Sequence, residues 1–197
     1  LKIIGLTGGI GSGKTAVLDI LSNEYGAYII EADKLAHSLM EPGQSVYKAV
    51  VDYFGTDILG EDNYIDRKKL GAIVFSDEEK LKKLNSLSHP LVKEAILNQI
   101  EEQKKLHTKL FVIEAALLIQ DGYTDICDIM CYVYADLPVR IERLCKYRGF
   151  DKERAESVIA SQDSEEFYRE HCDYIIDNSG SIEDTKQQIK KIFIDLF

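Results

Sequence analysis

Five short, mostly apolar runs lie far apart along the chain: Ile3–Thr7, Tyr28–Ile30, Leu110–Ile113, Ile129–Tyr134 and Tyr174–Ile176. Near-continuous apolar runs of this length are what strands of a parallel sheet covered on both faces look like. Between them the period changes to that of helices. Ala16-Val17-Leu18-Asp19-Ile20-Leu21 has apolar residues at i, i+1, i+4 and i+5. Ser45–Phe54 sets Val46, Val50, Val51 and Phe54 on one face. Leu35–Met40, Lys68–Phe75 and Glu78–Leu87 predict further short helices. Pro90 predicts the first turn of a separate long helix with Leu91, Ala95, Ile96 and Ile100 as its stripe, and His89 before it reads as its cap. Pro138–Arg148 and Asp151–Ser161, the latter with Asp151 as N-cap, predict a helical pair, and Ser181–Phe197 an amphipathic C-terminal helix.

The pattern predicts an α/β fold with a five-stranded parallel sheet. The stretch between the second and third strands is much longer than one crossover requires, which predicts an inserted helical subdomain. The expected division is a core of 1–33, 108–137 and 172–197, an insertion of 34–107, and a helical lid of 138–171. The lid region carries Arg140, Arg143, Arg148 and Arg154. Arginines there suit a charged solvated hairpin, or closure over a transferring phosphoryl group.

Composition narrows the function. With 197 residues, 45% of them hydrophobic, the chain can form one domain whose core needs no staples. A net charge of −10 with no long basic run argues against a nucleic-acid partner. Cys127, Cys131, Cys145 and Cys172 form no C-x-x-C pair and are expected to be free thiols, without a zinc site. No apolar run has membrane length and no signal peptide is visible, so no membrane partner and a cytoplasmic location are expected. Numbering opens on Leu1, which implies an initiator residue outside it. A monomer or weak homo-oligomer is expected.

The chemistry is carried by Gly8-Gly9-Ile10-Gly11-Ser12-Gly13-Lys14-Thr15, which satisfies G-x-x-x-x-G-K-[ST] between a predicted strand and a predicted helix. Glycine permits the close backbone approach a phosphate needs, and the helix N-terminus adds unpaired N–H groups. Gly9, Ile10, Gly11, Ser12, Gly13, Lys14, Thr15 and Ala16 are the expected ATP-binding residues. Lys14 supplies a charge to the outer phosphates and the Thr15 hydroxyl a ligand for Mg²⁺, the expected cofactor. The class is therefore a P-loop NTPase three-layer sandwich with a helical substrate-binding insertion and a helical lid. A dinucleotide fingerprint over Gly11–Ala16, with Glu31 about 20 residues on, leaves Lys14 and Thr15 unexplained. A GTPase-type switch lacks an N-K-x-D, and Asp57-Ile58-Leu59-Gly60 lies among helices.

Three acids fall at predicted strand ends, where open α/β sheets bind ligands: Glu31, Asp33 and Glu114. Asp33 suits a base that takes or orients a hydroxyl proton, or a helix N-cap. Glu114 suits an acid that helps hold Mg²⁺ through water or contacts substrate.

The order TGGIGSGKT, IIEADKLAHSLMEPG, FGTDIL, NYIDRKKLGAIVF, SHPLV, VIEAALL and DYIIDNSG resembles the dephospho-CoA kinase family over roughly Ile3 to Gly180. The resemblance implies transfer of the ATP γ-phosphoryl group to the 3′-hydroxyl of dephospho-CoA, an ATP-dependent phosphotransfer to an alcohol that ends CoA synthesis; the alternative is a P-loop kinase of another small hydroxyl or nucleotide substrate on the same core. ATP and dephospho-CoA are then the partners, and 34–107 binds CoA. It implies Asp33 as the group facing the hydroxyl and Arg140 as a catalytic arginine near the phosphates. It implies Asn178 against the adenine, and Asp33, Arg67, His89 and Glu114 on the substrate. The chain departs from the family pattern at Glu31, Glu114, Ala116, Tyr147 and Val158.

Overall fold

A computed structural model describes residues 1–196. The five apolar runs form strands β1 (Lys2–Thr7), β2 (Tyr28–Glu31), β3 (Leu110–Glu114), β4 (Ile129–Tyr134) and β5 (Tyr174–Asp177). They make one sheet in the order β2-β3-β1-β4-β5, and the pairs β1–β3, β1–β4 and β4–β5 run parallel. Every residue of β3 is buried, which is why it shows no polar alternation. The ladder sets Leu6 of β1 opposite Glu114 of β3, so the loop after β1 and the acid ending β3 leave the same edge of the sheet.

The helices are α1 (Lys14–Tyr25), α2 (Ala32–Leu39), α3 (Ser45–Phe54), α4 (Arg67–Val74), α5 (Glu78–Lys105), α6 (Leu137–Arg148), α7 (Lys152–Ala160), α8 (Glu165–His171) and α9 (Ile182–Leu196). Phe197, the end of the expected last helix, lies outside the described residues. No described helix is long and apolar enough to cross a membrane.

Two compact units result. One is 1–29 with 107–197; the other is 30–106. The core of the sheet unit packs Ile4 and Leu6 of β1, Val17 and Leu21 of α1, Val112, Val133 and Ile189 into one buried cluster. In the helical unit α2, α3 and α4 each lie along α5. Asp66 caps α4 by accepting N–H bonds from Lys68 and Lys69 at 2.8 and 3.2 Å. Asp77 caps α5 through Glu79 and Lys80 at 3.1 and 3.2 Å. Asp151 caps α7 as expected, accepting from Arg154 N at 2.7 Å.

Helix α5 corrects the expectation of two helices parted at Pro90. Ser88, Val92, Ile96 and Ile100 repeat every four residues and are all buried, so one packed stripe runs through the proline. Pro90 and Ser86 are exposed. The carbonyl that loses its i+4 donor therefore faces solvent, where water meets its need, and the usual cost of an interior proline falls. His89 consequently has no helix end to cap.

Candidate active site

β1 delivers the chain to the phosphate loop, and α1 leaves it. The turn into α1 is made at Gly13, whose φ of 87° lies in the left-handed region. A Cβ there would also run into the Asn178 side-chain amide. Two requirements thus converge on glycine at this position.

The loop sorts its backbone groups cleanly. The amides of Gly9, Gly11, Gly13, Lys14 and Thr15 have no partner among the described residues. Those of Ile10, Ser12 and Ala16 are taken: Ile10 N donates to Gln162 Oε1 at 2.8 Å, Ser12 N to Gly9 O at 3.2 Å, and Ala16 N to Gly13 O at 3.0 Å. Of the eight loop residues expected to hold ATP, five thus present open amides. The open set runs into the first turn of α1, where the helix dipole adds positive potential. Ser12 is buried, and its hydroxyl has no hydrogen-bond partner.

Lys14 Nζ donates to Gly8 O at 2.8 Å and lies 3.5 Å from Glu114 Oε1, both side chains largely out of solvent. Glu114 is therefore tied to the loop lysine by tertiary structure, a pairing that β1–β3 register creates. Thr15 is exposed, and its hydroxyl forms no bond with the described residues. Mg²⁺ keeps several waters and takes one or two protein oxygens plus phosphate oxygens, so a hydroxyl at this position fits it. Among the described residues no group of three or more His, Cys, Asp or Glu converges on a metal position.

Arg140 lies over the loop. Its Nε donates to Ile10 O at 2.9 Å and its Nη2 to Gln162 Oε1 at 2.9 Å. Burial lowers its pKa, and the nearby Tyr132, Tyr168 and Tyr134 hydroxyls act the other way. Tyr132 is pushed up to about 12, chiefly by burial. Tyr132 stacks on Tyr168 at 4.7 Å and 8°, which seats α8 on β4. This short helix has no sequence signal beyond a Ser164 cap, which accepts Phe167 N at 3.2 Å. Gln162, between α7 and α8, was not among the expected site residues; the loop residue it holds, Ile10, lies 152 positions away in sequence, so no local pattern reveals it.

Asn178 is buried behind the loop. Its Nδ2 donates to Ser12 O at 2.8 Å, and its Oδ1 accepts from Thr185 Oγ1 at 3.0 Å. Both ends of the amide are thus engaged by protein groups. Cys127, Cys131 and Cys172, all unpaired thiols, are pushed up to about 12, mainly by burial, which keeps them protonated at neutral pH.

The helical unit has its own concavity, about 850 Å³, on α2, α4 and the turn between them and α5. Asp33, Lys34, His37 and Arg67 rim it, and Met40, Ile65, Leu70, Val74, Phe75 and Leu84 supply apolar wall. α2 starts at Ala32 with Glu31 as its N-cap, so Asp33 stands in the first turn and does not cap the helix. Glu31 instead pairs with Lys34 at 2.7 Å. Asp33 and Arg67 are exposed, and neither side chain has a partner among the described residues. Phe75 is 82% exposed, unusual for a phenylalanine. The structure therefore brings Asp33 and Arg67 to one cavity; His89 is exposed on α5 and does not line it.

A family model described as dephospho-CoA kinase matches residues 2–184. A dephospho-CoA kinase of Aquifex aeolicus is 44% identical over 198 residues, covering 100% of this chain and 98% of its own. One of Lactobacillus johnsonii is 40% identical over 98% of this chain and 97% of its own. Among solved structures, the dephospho-CoA kinase of Campylobacter jejuni superposes with a TM-score of 0.71 at 28% identity, covering 98% of this chain and 96% of its own.

Proposed function

Because the chain belongs to the dephospho-CoA kinase family, we propose how its residues divide the transfer of the ATP γ-phosphoryl group to the 3′-hydroxyl of dephospho-CoA. The observation that carries the reading is the contrast between the open amides around Lys14 and the unpartnered Asp33 carboxylate on a cavity of its own.

Phosphoryl transfer asks the protein mainly for position and compensating charge. The loop amides hold the phosphate chain. Lys14 leaves Glu114 to sit against the outer phosphates, and the freed Glu114 contacts substrate. Thr15 would hold Mg²⁺, which would draw charge off the phosphates. Arg140 turns from Ile10 and Gln162 toward the developing negative charge. In the helical unit Asp33 accepts or orients the 3′-hydroxyl proton. Arg67 neutralises acceptor phosphate, and the apolar wall with Phe75 suits the pantetheine arm. A cytoplasmic location and a monomeric or weakly self-associating state belong to the same proposal.

The test is Asp33→Ala, assayed for turnover and, separately, for binding of an ATP analogue. Turnover falls about 10²-fold or more, while nucleotide affinity holds. Near-normal turnover would remove Asp33 from the chemistry.

A further inference from the structure

A loop that aims its amides at an anion must turn its carbonyls away, and buried carbonyls need donors. Here each carbonyl from Gly8 to Gly13 has one. Gly8 O accepts from Lys14 Nζ, Gly9 O from Ser12 N, Ile10 O from Arg140 Nε, and Gly13 O from Ala16 N. The carbonyls of Gly11 and Ser12 depend on residues far along the chain. Arg143 Nη1 donates to Ser12 O at 3.1 Å and to Gly11 O at 3.4 Å, while its Nη2 donates to Asn178 O at 2.8 Å. Asn178 Nδ2 donates to Ser12 O from the same side, and its Oδ1 is fixed by the fully buried Thr185. Arg143 forms no ion pair among the described residues, so its charge stands behind the loop with no carboxylate against it.

We propose that Arg143, braced by Asn178, is a positioning residue for the phosphate donor: it holds the Gly11 and Ser12 carbonyls outward and so keeps the open amides aimed before nucleotide arrives. The planar fork is what the task requires. One guanidinium edge spans two chain segments, the loop and the turn after β5, which a lysine ammonium on its flexible stem does not do. Holding the loop in its binding shape removes an ordering cost from the binding step. This also gives Asn178 a role through the loop backbone rather than through the base. The proposal rests on the reading of this loop as the ATP site.

Arg143→Met and Arg143→Lys test it, with steady-state kinetics in both substrates, titration with a non-hydrolysable ATP analogue in the absence of acceptor, and thermal unfolding. The KM for ATP and the dissociation constant of the analogue rise about tenfold in both variants, on the scale of a lost charged hydrogen bond. The KM for dephospho-CoA stays within about twofold and the thermal midpoint within a few degrees. Analogue affinity equal to the parent's in both variants overturns the proposal. So does full rescue by lysine, since charge alone would then suffice. So does a joint rise of both KM values with a collapsed midpoint, which assigns Arg143 to folding. If Arg143→Met fails to fold, Arg143→Lys gives the same readings. Absence of analogue binding in the parent would instead fail the ATP-site reading itself.

Discussion

The two units treat their charged groups in opposite ways. In the sheet unit, Lys14, Arg140 and Arg143 are partly buried and every one is spent on loop carbonyls, a glutamine or Glu114. In the helical unit, Asp33 and Arg67 stand exposed and unpartnered on the rim of an apolar cavity. Two phenylalanines repeat the contrast: Phe111 in β3 is fully buried, and Phe75 after α4 is 82% exposed. What differs is the moment at which each side is organised. On the proposed division of the site, this follows from the two ligands: a phosphate chain is the same in every nucleotide, so its cradle is built from backbone and finished during folding, whereas an acceptor is particular, so its proposed contacts are side chains left open.

That contrast can be broken at three points. Phe111→Ala removes a ring from the sheet core and costs about 3–5 kcal/mol of stability, read from denaturant unfolding. A loss under about 1 kcal/mol would mean the sheet unit does not depend on its core as described. Phe75→Ala leaves stability within about 0.5 kcal/mol and raises the KM for dephospho-CoA about tenfold, near 1.4 kcal/mol. If stability drops instead and the KM is unmoved, Phe75 is a packing residue and the open-cavity account fails. The smallest effect concerns Asp66. Its carboxyl is held below the ordinary 3.8, first by the Lys69 N–H, then by the Lys68 N–H. A lowered folded-state pKa means its contribution is present above about pH 4 and is lost as pH falls through the folded value. The stability difference between parent and Asp66→Asn is therefore constant at neutral pH and changes only below about pH 4. A difference that varies between pH 5 and 8 would contradict this origin.

Much of this was written in local sequence. The strands came out within a residue or so of their observed bounds, because runs such as Leu110–Glu114 are buried throughout and have no polar interruption. The phosphate loop was equally plain, since its dihedrals are made by its own glycines. α5 was misread because proline is judged locally, whereas Val92, Ile96 and Ile100 are held by the helices packed along it. Asp33 suits a cap in sequence, but α2 begins at Ala32, three residues before the Leu35 at which its apolar pattern starts. The grip of Arg143 and Gln162 on the loop was invisible for another reason. Those contacts join segments separated by more than 130 positions, and only the sheet order brings them together.

The pairing of Lys14 with Glu114 has a consequence for which anions can stay. An open ring of amides beside an unattended lysine would hold any small oxyanion in the medium, orthophosphate included. Here the lysine already has a carboxylate at 3.5 Å and a carbonyl at 2.8 Å. A newcomer must outcompete both, and it must do so from beside a negative charge. A lone phosphate has few contacts with which to do this, whereas a triphosphate reaches the lysine while its other phosphates are held by the amides. On the proposed reading of this loop as the ATP site, the ion pair is a filter set against lone phosphate, with discrimination arising from what is repelled as much as from what is gripped.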